Sequence, residues 1–223
     1  MISGWKFGKT ESMVSGKIQH FRIYDRDYLV ALDQNRVYFL DRRGRERIRL
    51  KERLVLSPRN PLMLDMNIRE ERPRWISTDT AGNVRAIYLD GSVSSLLNRQ
   101  MAADHFFSME DLTRDGIPEF IFVEGNELDI IEQDGKELFS FKVRGRISDA
   151  PDIYKFSASD VKLGITDGSR NRIYLINSDG SLYEGFPLEG STRFSIGYFK
   201  GSDSRFNLIV GSENNFLYNY SID

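Results

Sequence analysis

A glycine-containing turn recurs along this chain at nearly constant spacing. The turns "DRRGR", "LDGSV", "QDGKE" and "SDGSL" contain Gly44, Gly91, Gly135 and Gly180, which lie 47, 44 and 45 residues apart. One further step of 44 would fall at 224, one place beyond the last of the 223 residues. A period of this length is typical of proteins that stack one supersecondary unit repeatedly, because a single unit cannot bury its apolar faces alone.

Short runs of aliphatic, β-branched and aromatic residues surround each turn and predict four strands per unit, which we name a, b, c and d. Strand a is expected at 21–24, 62–66, 106–109, 153–156 and 195–199. Strand b is expected at 28–33, 74–79, 119–124, 162–167 and 207–212. Strand c is expected at 36–41, 84–90, 127–134, 172–179 and 215–223. Strand d is expected in only four units, at 45–52, 92–99, 136–143 and 181–189.

Four antiparallel strands in each of five repeats predict an all-β, five-bladed β-propeller that forms a single domain over residues 1–223. The expected blades are 17–52, 60–99, 104–143, 151–189 and 195–223.

The last unit has no strand d of its own in this pattern. In "GWKFGKTES", Trp5 and Phe7 alternate with polar residues, so we expect residues 4–11 to supply that strand and close the ring. The alternative is an open fragment, or five blades of a larger ring.

Composition excludes several classes of function. The net charge of -2, from 31 Lys plus Arg and 33 Asp plus Glu, predicts no general attraction to nucleic acid. The chain has no cysteine, which excludes a disulfide framework and thiolate metal sites. No apolar run approaches the ~18 residues of a spanning helix, so no transmembrane segment is expected. These features fit a monomeric domain of a longer protein.

Two stretches resemble known repeats. Residues 110–141, "EDLTRDGIPEFIFVEGNELDIIEQDGKELFSF", resemble the FG-GAP and VCBS type of bacterial propeller repeat, and 174–190, "YLINSDGSLYEGFPLEG", are similar to the blade ending of quinoprotein-like (WD40-like) propellers. The whole chain also resembles the C-terminal propeller part of large bacterial proteins. The resemblance implies architecture without an activity, and a bacterial cell envelope or periplasmic location.

In the FG-GAP and VCBS repeats a D-x-[DN]-x-D-G loop can hold Ca²⁺, a hard cation that prefers oxygen ligands. Mapped onto "DLTRDGIPE", the resemblance implies ligands at Asp111, Thr113, Asp115, the Ile117 carbonyl and Glu119. Thr113 departs from the pattern because a neutral hydroxyl replaces a carboxylate or amide. The alternative is a metal-free turn in which the aspartates accept hydrogen bonds from backbone N–H groups. No other cofactor is expected.

A basic segment follows the first turn. If residues 45–52 form a strand, then Arg45, Arg47, Arg49 and Lys51 share one face, because side chains alternate between the two faces of a strand. This basic stripe is a candidate surface for an acidic protein, a phosphorylated headgroup or nucleic acid. The alternative is edge protection, in which charged side chains block unwanted sheet pairing.

The function expected from these features is a non-catalytic binding or scaffolding module, with a protein or peptide ligand on one ring face. A carbohydrate-binding propeller, with Tyr88 or Tyr183 as sugar platforms, is the alternative. A five-bladed glycoside hydrolase is a weaker third, because hydrolysis needs two carboxylates in unlike environments. The acids that recur at the ends of strand b suggest a repeated structural role instead; they are Asp33, Asp79, Glu124 and Asp167.

Overall fold

The computed structural model describes residues 4–66, 70–199 and 206–222. Within these residues the chain forms nineteen β-strands and one 3₁₀ turn, Gly168–Arg170. The strands are β1 (Val14–Ile23), β2 (Arg26–Asp33), β3 (Val37–Leu40), β4 (Glu46–Ile48), β5 (Met63–Asp65), β6 (Arg74–Thr78), β7 (Val84–Tyr88), β8 (Val93–Leu97), β9 (Phe106–Glu110), β10 (Glu119–Glu124), β11 (Glu127–Ile131), β12 (Glu137–Lys142), β13 (Asp152–Lys155), β14 (Val161–Asp167), β15 (Arg172–Asn177), β16 (Leu188–Glu189), β17 (Phe194–Gly197), β18 (Phe206–Gly211) and β19 (Leu217–Ile222).

The strands form five antiparallel sheets in which sequence neighbours pair. Blade 1 contains β1 to β4, blade 2 contains β5 to β8, blade 3 contains β9 to β12, and blade 4 contains β13 to β16. Blade 5 contains three strands in the described residues, β17 to β19. The predicted all-β, five-bladed architecture is therefore confirmed, with strands a, b and c in every blade.

Both faces of the central strands are buried, and this explains how the blades stack. Along β10, Phe120 and Phe122 pack in a core shared with blade 2. The alternate residues of the same strand, Ile121 and Val123, pack in a core shared with blade 4. Successive side chains of a strand point to opposite faces, so the all-apolar run "FIFV" predicts a sheet covered on both sides. Equivalent cores join blades 1 and 2 and blades 4 and 5.

Two fourth strands are shorter than predicted. β4 ends at Ile48 because the chain then turns toward blade 2, where the Lys51 N–H donates to the Gly91 carbonyl at 2.9 Å. β16 contains only two residues, since a turn intervenes in which the Phe186 N–H donates to the Tyr183 carbonyl at 3.1 Å. The expected strands 45–52 and 181–189 are corrected accordingly.

The segment expected to close the ring, residues 4–11, does not form a strand. Among the described residues, no backbone hydrogen bond joins it to β19. It packs instead on the outer face of blade 1, where Phe7 stacks edge-on against Tyr38 with ring centroids 5.4 Å apart. The Lys6 N–H donates to the Arg43 carbonyl at 2.7 Å. Burial of Trp5 and Phe7 against blade 1 therefore holds the segment at that blade.

The turn glycines show what position this segment occupies. A Cβ at Gly180 would overlap Phe139 on strand d of the preceding blade. A Cβ at Gly44 would overlap Trp5 and Phe7 in the same way. Residues 4–8 thus lie where the fourth strand of a preceding blade lies elsewhere in the fold. All four turn glycines have positive φ, between +71° and +94°, a conformation that strains side chains with a Cβ.

In the described part of the chain, no helix is long and apolar enough to cross a membrane.

A buried carboxylate fastens the segment before β1 to blade 1. Asp33 accepts hydrogen bonds from the backbone N–H groups of Ser12 (2.9 Å), Asn35 (2.8 Å) and Arg36 (2.9 Å) and from the Tyr38 hydroxyl (2.7 Å). Burial, the largest single influence, raises the pKa of Asp33, but these four donors together bring the pKa well below its usual value. The ionised form is therefore the one that stabilises the fold.

We predict that Asp33→Asn lowers the free energy of unfolding at neutral pH by about 2 kcal/mol, because hydrogen bonds to a charged acceptor are lost. The pKa of Asp33 is lower folded than unfolded (about 3.9), so its contribution is present above about pH 4 and is lost as the pH falls through the folded value. Urea titrations in neutral and acidic buffer should show the difference between wild type and variant shrinking in acid. Asp25→Asn, at an exposed position, is the control and should change little. A difference that persists in acid would contradict this account.

Candidate functional site

A cleft of about 510 Å³ opens between blades 2 and 3. Its walls are the end of β5, the start of β6, the loop between β9 and β10, and the turn between β11 and β12. In an antiparallel sheet of sequential strands, the a–b loops and the c–d turns lie at the same end of the strands. The cleft therefore lies on the ring face formed by these connections, which we call the a–b face. The b–c loops considered for recognition from the sequence lie on the opposite face, at 80–83, 125–126, 168–171 and 212–214.

The residues that line the cleft are mostly acidic, and the Lys136 ammonium pairs with one of them, Glu132, at 2.7 Å. One cation, Arg74, is among its lining residues. Six carboxylates line it, on Asp65, Glu70, Asp115, Glu119, Glu132 and Asp134. Carboxylates grouped in a concave surface focus a negative potential there, although the whole chain carries a charge of only -2. The local field, and not the net charge, therefore determines what this surface attracts.

Arg74 ties the two blades together beneath the cleft. Its Nε donates to the Asp65 carboxylate at 2.9 Å, and both side chains are buried. Its second terminal nitrogen donates to the Gln133 side-chain oxygen at 2.7 Å, and Gln133 in turn donates to the Pro118 carbonyl at 3.0 Å. This chain of hydrogen bonds fixes the floor of the cleft. These residues were not predicted as a site from the sequence, although an arginine directly before the buried run "WIST" was an available signal.

The predicted calcium loop lies at the edge of the cleft, and the fold brings three of its carboxylates together. One oxygen from each of Asp111, Asp115 and Glu119 lies within 4.8 Å of the others. Glu119 is buried and accepts hydrogen bonds from the Leu112 N–H at 2.6 Å and the Thr113 hydroxyl at 2.7 Å. Thr113 therefore contacts a carboxylate of the same set.

Two of the carboxylates accept hydrogen bonds from backbone N–H groups of the same loop. Asp111 Oδ2 accepts from the Gly116 N–H at 3.1 Å, and Asp115 Oδ1 accepts from the Ile117 N–H at 2.8 Å. These contacts match the metal-free alternative. Asp111 Oδ1 is different, because it is buried and accepts no hydrogen bond from the described residues.

The donor set is chemically suited to a hard cation. Three carboxylates within 4.8 Å repel one another, and a divalent ion would relieve that repulsion while partnering Asp111 Oδ1. Ile117, whose carbonyl is the fourth of the five predicted ligands, lines the same cleft. Asp111, Thr113, Asp115 and Glu119 would hold the ion, which would add positive charge at the rim of an otherwise acidic surface.

The basic stripe is not the single strand face that the sequence predicted. Only Arg47 lies on β4, and its guanidinium is 5.3 Å from the centre of the Tyr28 ring. Arg45 pairs with Asp41 at 2.7 Å, and Lys51 pairs with Asp90 at 3.1 Å. Arg49 follows the end of β4. Two of the four basic side chains are therefore paired with neighbouring carboxylates. A role for these residues in partner binding stays a prediction.

The acids at the ends of strand b accept hydrogen bonds from backbone N–H groups of neighbouring connections. Asp33 holds the segment before β1, as described above. Asp79 accepts from the Ala81 and Asn83 N–H groups, each at 3.0 Å. Asp167 accepts from the Gly145 N–H at 2.8 Å, and Glu124 accepts from the Ala102 N–H.

The aromatic residues considered as sugar platforms are partly or wholly covered. Tyr88 is 8% exposed, and the Arg72 guanidinium lies 3.8 Å from the centre of its ring. The expectation that Tyr88 presents a free face is therefore wrong, since blade packing buries it. Tyr183 lines a separate pocket together with Phe186 and residues of β19.

No protein-family model matches the chain, and no curated protein matches it. Solved structures do resemble it. The BBS1 N-terminal region, solved in complex with ARL6, is 11% identical with a TM-score of 0.58, over 98% of this chain and 67% of that one. The Vibrio cholerae biofilm matrix protein Bap1 is 11% identical with a TM-score of 0.66, over 99% and 40%. Virginiamycin B lyase from Staphylococcus aureus is 14% identical with a TM-score of 0.51, over 96% and 72%.

These likenesses decide the fold. The chain is a β-propeller. Because these structures are only 11% to 14% identical to the chain, the likeness shows the fold and assigns no activity. The chain spans between 40% and 72% of the length of these three neighbours. The resemblance of residues 110–141 to FG-GAP and VCBS repeats stays a prediction.

We predict that Arg74→Ala lowers the free energy of unfolding by about 3 kcal/mol, because it removes the guanidinium from a buried ion pair. Arg22→Ala, which breaks an exposed pair with Asp25, is the matched control and should cost less than about 1 kcal/mol. Denaturant titration of both variants measures the difference. Equal effects of the two substitutions would show that the Arg74 network does not hold the blades together.

Proposed function

We propose that this propeller is a non-catalytic binding and scaffolding module, and that its acidic cleft on the a–b face takes a cationic segment of a partner protein. The observation that carries the proposal is the cleft of about 510 Å³ with six carboxylates and a single, buried arginine. Lysine and arginine side chains are the protein groups that such a surface attracts. Rigid blades hold the surrounding loops in place, as recognition requires.

The size and depth of the cleft suit a short segment more than a whole folded face. Clefts of about 300–1,000 Å³ are the usual size of sites that bury most of a small ligand. The carboxylates come from two blades and from three different connections, so an extended chain crossing the blade boundary would meet charge along its path. The neighbour BBS1, which was solved in complex with ARL6, supports protein binding by this fold.

The distribution of the other acids supports a non-catalytic role. Asp33, Asp79 and Asp167, in blades 1, 2 and 4, each accept hydrogen bonds from backbone N–H groups. Carboxylates used in this way stabilise turns. Hydrolysis of a glycosidic bond instead requires an acid and a base held on either side of one substrate.

We predict that a fluorescein-labelled peptide of alternating lysine and glycine binds the full chain, and that added salt weakens the binding because exposed charges are screened. Glu132→Gln combined with Asp134→Asn should weaken it about tenfold, since two charges of roughly 0.5–1 kcal/mol each are lost. Fluorescence anisotropy measures both effects.

Glu213→Gln, an exposed acid in a b–c loop, is the matched control and should leave the affinity unchanged. Equal loss in the control would mean that binding follows overall charge. Absence of binding to the wild type would refute a cationic ligand for the cleft.

A second function, calcium binding by the 111–119 loop, is favoured by the buried and unpartnered Asp111 Oδ1 among three carboxylates. At a Ca²⁺ concentration about 100-fold above the Kd, the ion would stabilise the fold by about 2.7 kcal/mol. We predict that Ca²⁺ raises the Tm of the wild type, and that Asp111→Asn abolishes the increase. Asp104→Asn, an acid outside the loop that pairs with Arg146, should retain it. Calorimetry that detects no heat of Ca²⁺ binding would support the metal-free turn.

A further inference from the structure

A smaller pocket lies between blades 1 and 2. Its volume is about 210 Å³, and its walls are the first half of β1, Leu32 near the end of β2, and the segment 58–61 that leads into β5. Ser15 of β1 pairs with Leu32, so the pocket lies at the end of the strands where the b–c loop begins. It therefore belongs to the ring face opposite the acidic cleft.

The charged residues that line this pocket are both basic. They are Lys17 on β1 and Arg59 in the segment before β5, and both are exposed. Within the described residues, neither side chain pairs with a carboxylate. Other cations of blade 1 do pair, as Arg36 does with Glu46 at 2.6 Å. Two uncompensated positive charges at a concave surface create a positive local potential, which attracts an anion.

Phe106 of blade 3 positions one of the two cations. The guanidinium of Arg59 lies 4.8 Å from the centre of the Phe106 ring, a contact that restrains the side chain. A guanidinium over an aromatic ring keeps N–H donors available at its edge. Pro58 and Pro61 flank the arginine closely in sequence, and their fixed φ angles limit the freedom of the backbone there. Arg59 is therefore largely pre-organised to contact an anion.

A bulge in β1 brings the second cation to the same pocket. Residues 16–18 of β1 lie opposite a single residue of β2, Ala31, and such a bulge re-aims the side chains that it carries. Gly16 has a φ of +75°. A Cβ at this position would lie 3.3 Å from the Pro58 carbonyl oxygen, so the bulge lies against the segment that contains Arg59. Lys17 and Arg59 therefore line one pocket although they come from different blades.

The remaining walls of the pocket are fixed by hydrogen bonds. The Gln19 side chain donates to the Leu62 carbonyl at 2.8 Å and accepts from the Leu62 N–H at 3.0 Å. Asn60 is buried, donates to the Thr78 hydroxyl at 2.8 Å and accepts from the Phe107 N–H at 2.9 Å. These polar side chains are used within the fold. Lys17 and Arg59 are therefore the lining side chains whose charge is available to a ligand.

We propose that Lys17 and Arg59 bind a phosphate group in this pocket, as free phosphate or as a small phosphate monoester. A phosphate monoester carries a charge of about −1.5 to −2 at neutral pH and three acceptor oxygens, so one group compensates both cations. A carboxylate, with a single charge, would leave one cation uncompensated. Arginine matches the geometry of phosphate oxygens, and lysine adds a point charge.

The volume of the pocket favours a small ligand. At about 210 Å³ it is smaller than the roughly 300–1,000 Å³ of sites that enclose drug-sized molecules. The site lies between blades 1 and 2 and has the opposite charge to the acidic cleft between blades 2 and 3. It therefore does not depend on the function proposed for that cleft.

Sodium phosphate is the first probe. It is titrated into the full chain labelled with ¹⁵N, at constant ionic strength with sodium chloride as the balancing salt. We expect saturable shifts of the Gly16 and Lys17 amide resonances, because both residues line the pocket. Glycerol 3-phosphate is the second probe. Tighter binding of the ester would assign the ligand as a phosphate monoester, and equal binding would assign it as the free ion.

Three substitutions separate the pocket from the overall charge. Lys17→Gln and Arg59→Gln should each weaken phosphate binding at least about tenfold, because each removes a charge-assisted contact. Arg26→Gln is the matched control, since Arg26 begins β2 at the far end of the strand from the pocket. It should bind phosphate as the wild type does. All three positions are exposed, and thermal unfolding verifies that the variants are folded.

Three outcomes would overturn the proposal. The first is a wild-type chain whose Gly16 and Lys17 resonances do not respond to phosphate beyond the response to sodium chloride. The second is equal weakening by Lys17→Gln and Arg26→Gln, which would show that phosphate follows the overall charge. The third is phosphate binding that is unchanged in both Lys17→Gln and Arg59→Gln.

Discussion

Burial of both faces of each sheet is the constraint on which the rest of this structure depends. The central strands carry apolar side chains on both sides, as in β10, where Phe120 faces blade 2 and Ile121 faces blade 4. A sheet of this kind is stable only when a neighbour covers each face. Each blade therefore needs two neighbours, and radial stacking supplies them to the three inner blades.

The two outer blades meet the same requirement in different ways. Blade 1 covers its outer face with Trp5 and Phe7, which contact Gly44 where the strand d of a preceding blade would. Blade 5 packs its inner face on blade 4 and leaves the outward edge of β19 unpaired in the described residues.

The acidic cleft also follows from the stacking. The connections at the a–b face carry turn residues, which are commonly polar. Between blades 2 and 3 the stacking places carboxylates from several connections around one volume, and the Arg74 guanidinium of blade 2 donates to Gln133 of blade 3 at 2.7 Å. The calcium-type loop belongs to the same rim, so an ion bound by Asp111, Asp115 and Glu119 would alter the charge of the cleft directly.

The sequence by itself determined the architecture, because the features that specify it are local and periodic. Turn glycines at positive φ, such as Gly91 and Gly135, recur every 44 to 47 residues, and the strands beside them follow from short apolar runs. The proximity of Asp111, Asp115 and Glu119 was also predictable, since all three lie in one loop. Strand lengths were less predictable from the sequence. β4 and β16 are shorter than expected because the backbone beside each strand turns to make other contacts.

Only the tertiary structure decided where the ends lie and which residues from distant repeats meet. The placement of Trp5 and Phe7 depends on the apolar face of blade 1, and the cleft depends on Arg74 reaching Gln133 of the next blade, 59 positions away. Such contacts are set by how the sheets stack, and the sequence of one repeat does not specify which connections of the next blade lie beside it. The periodic pattern therefore determined the blades, and packing between blades decided the sites.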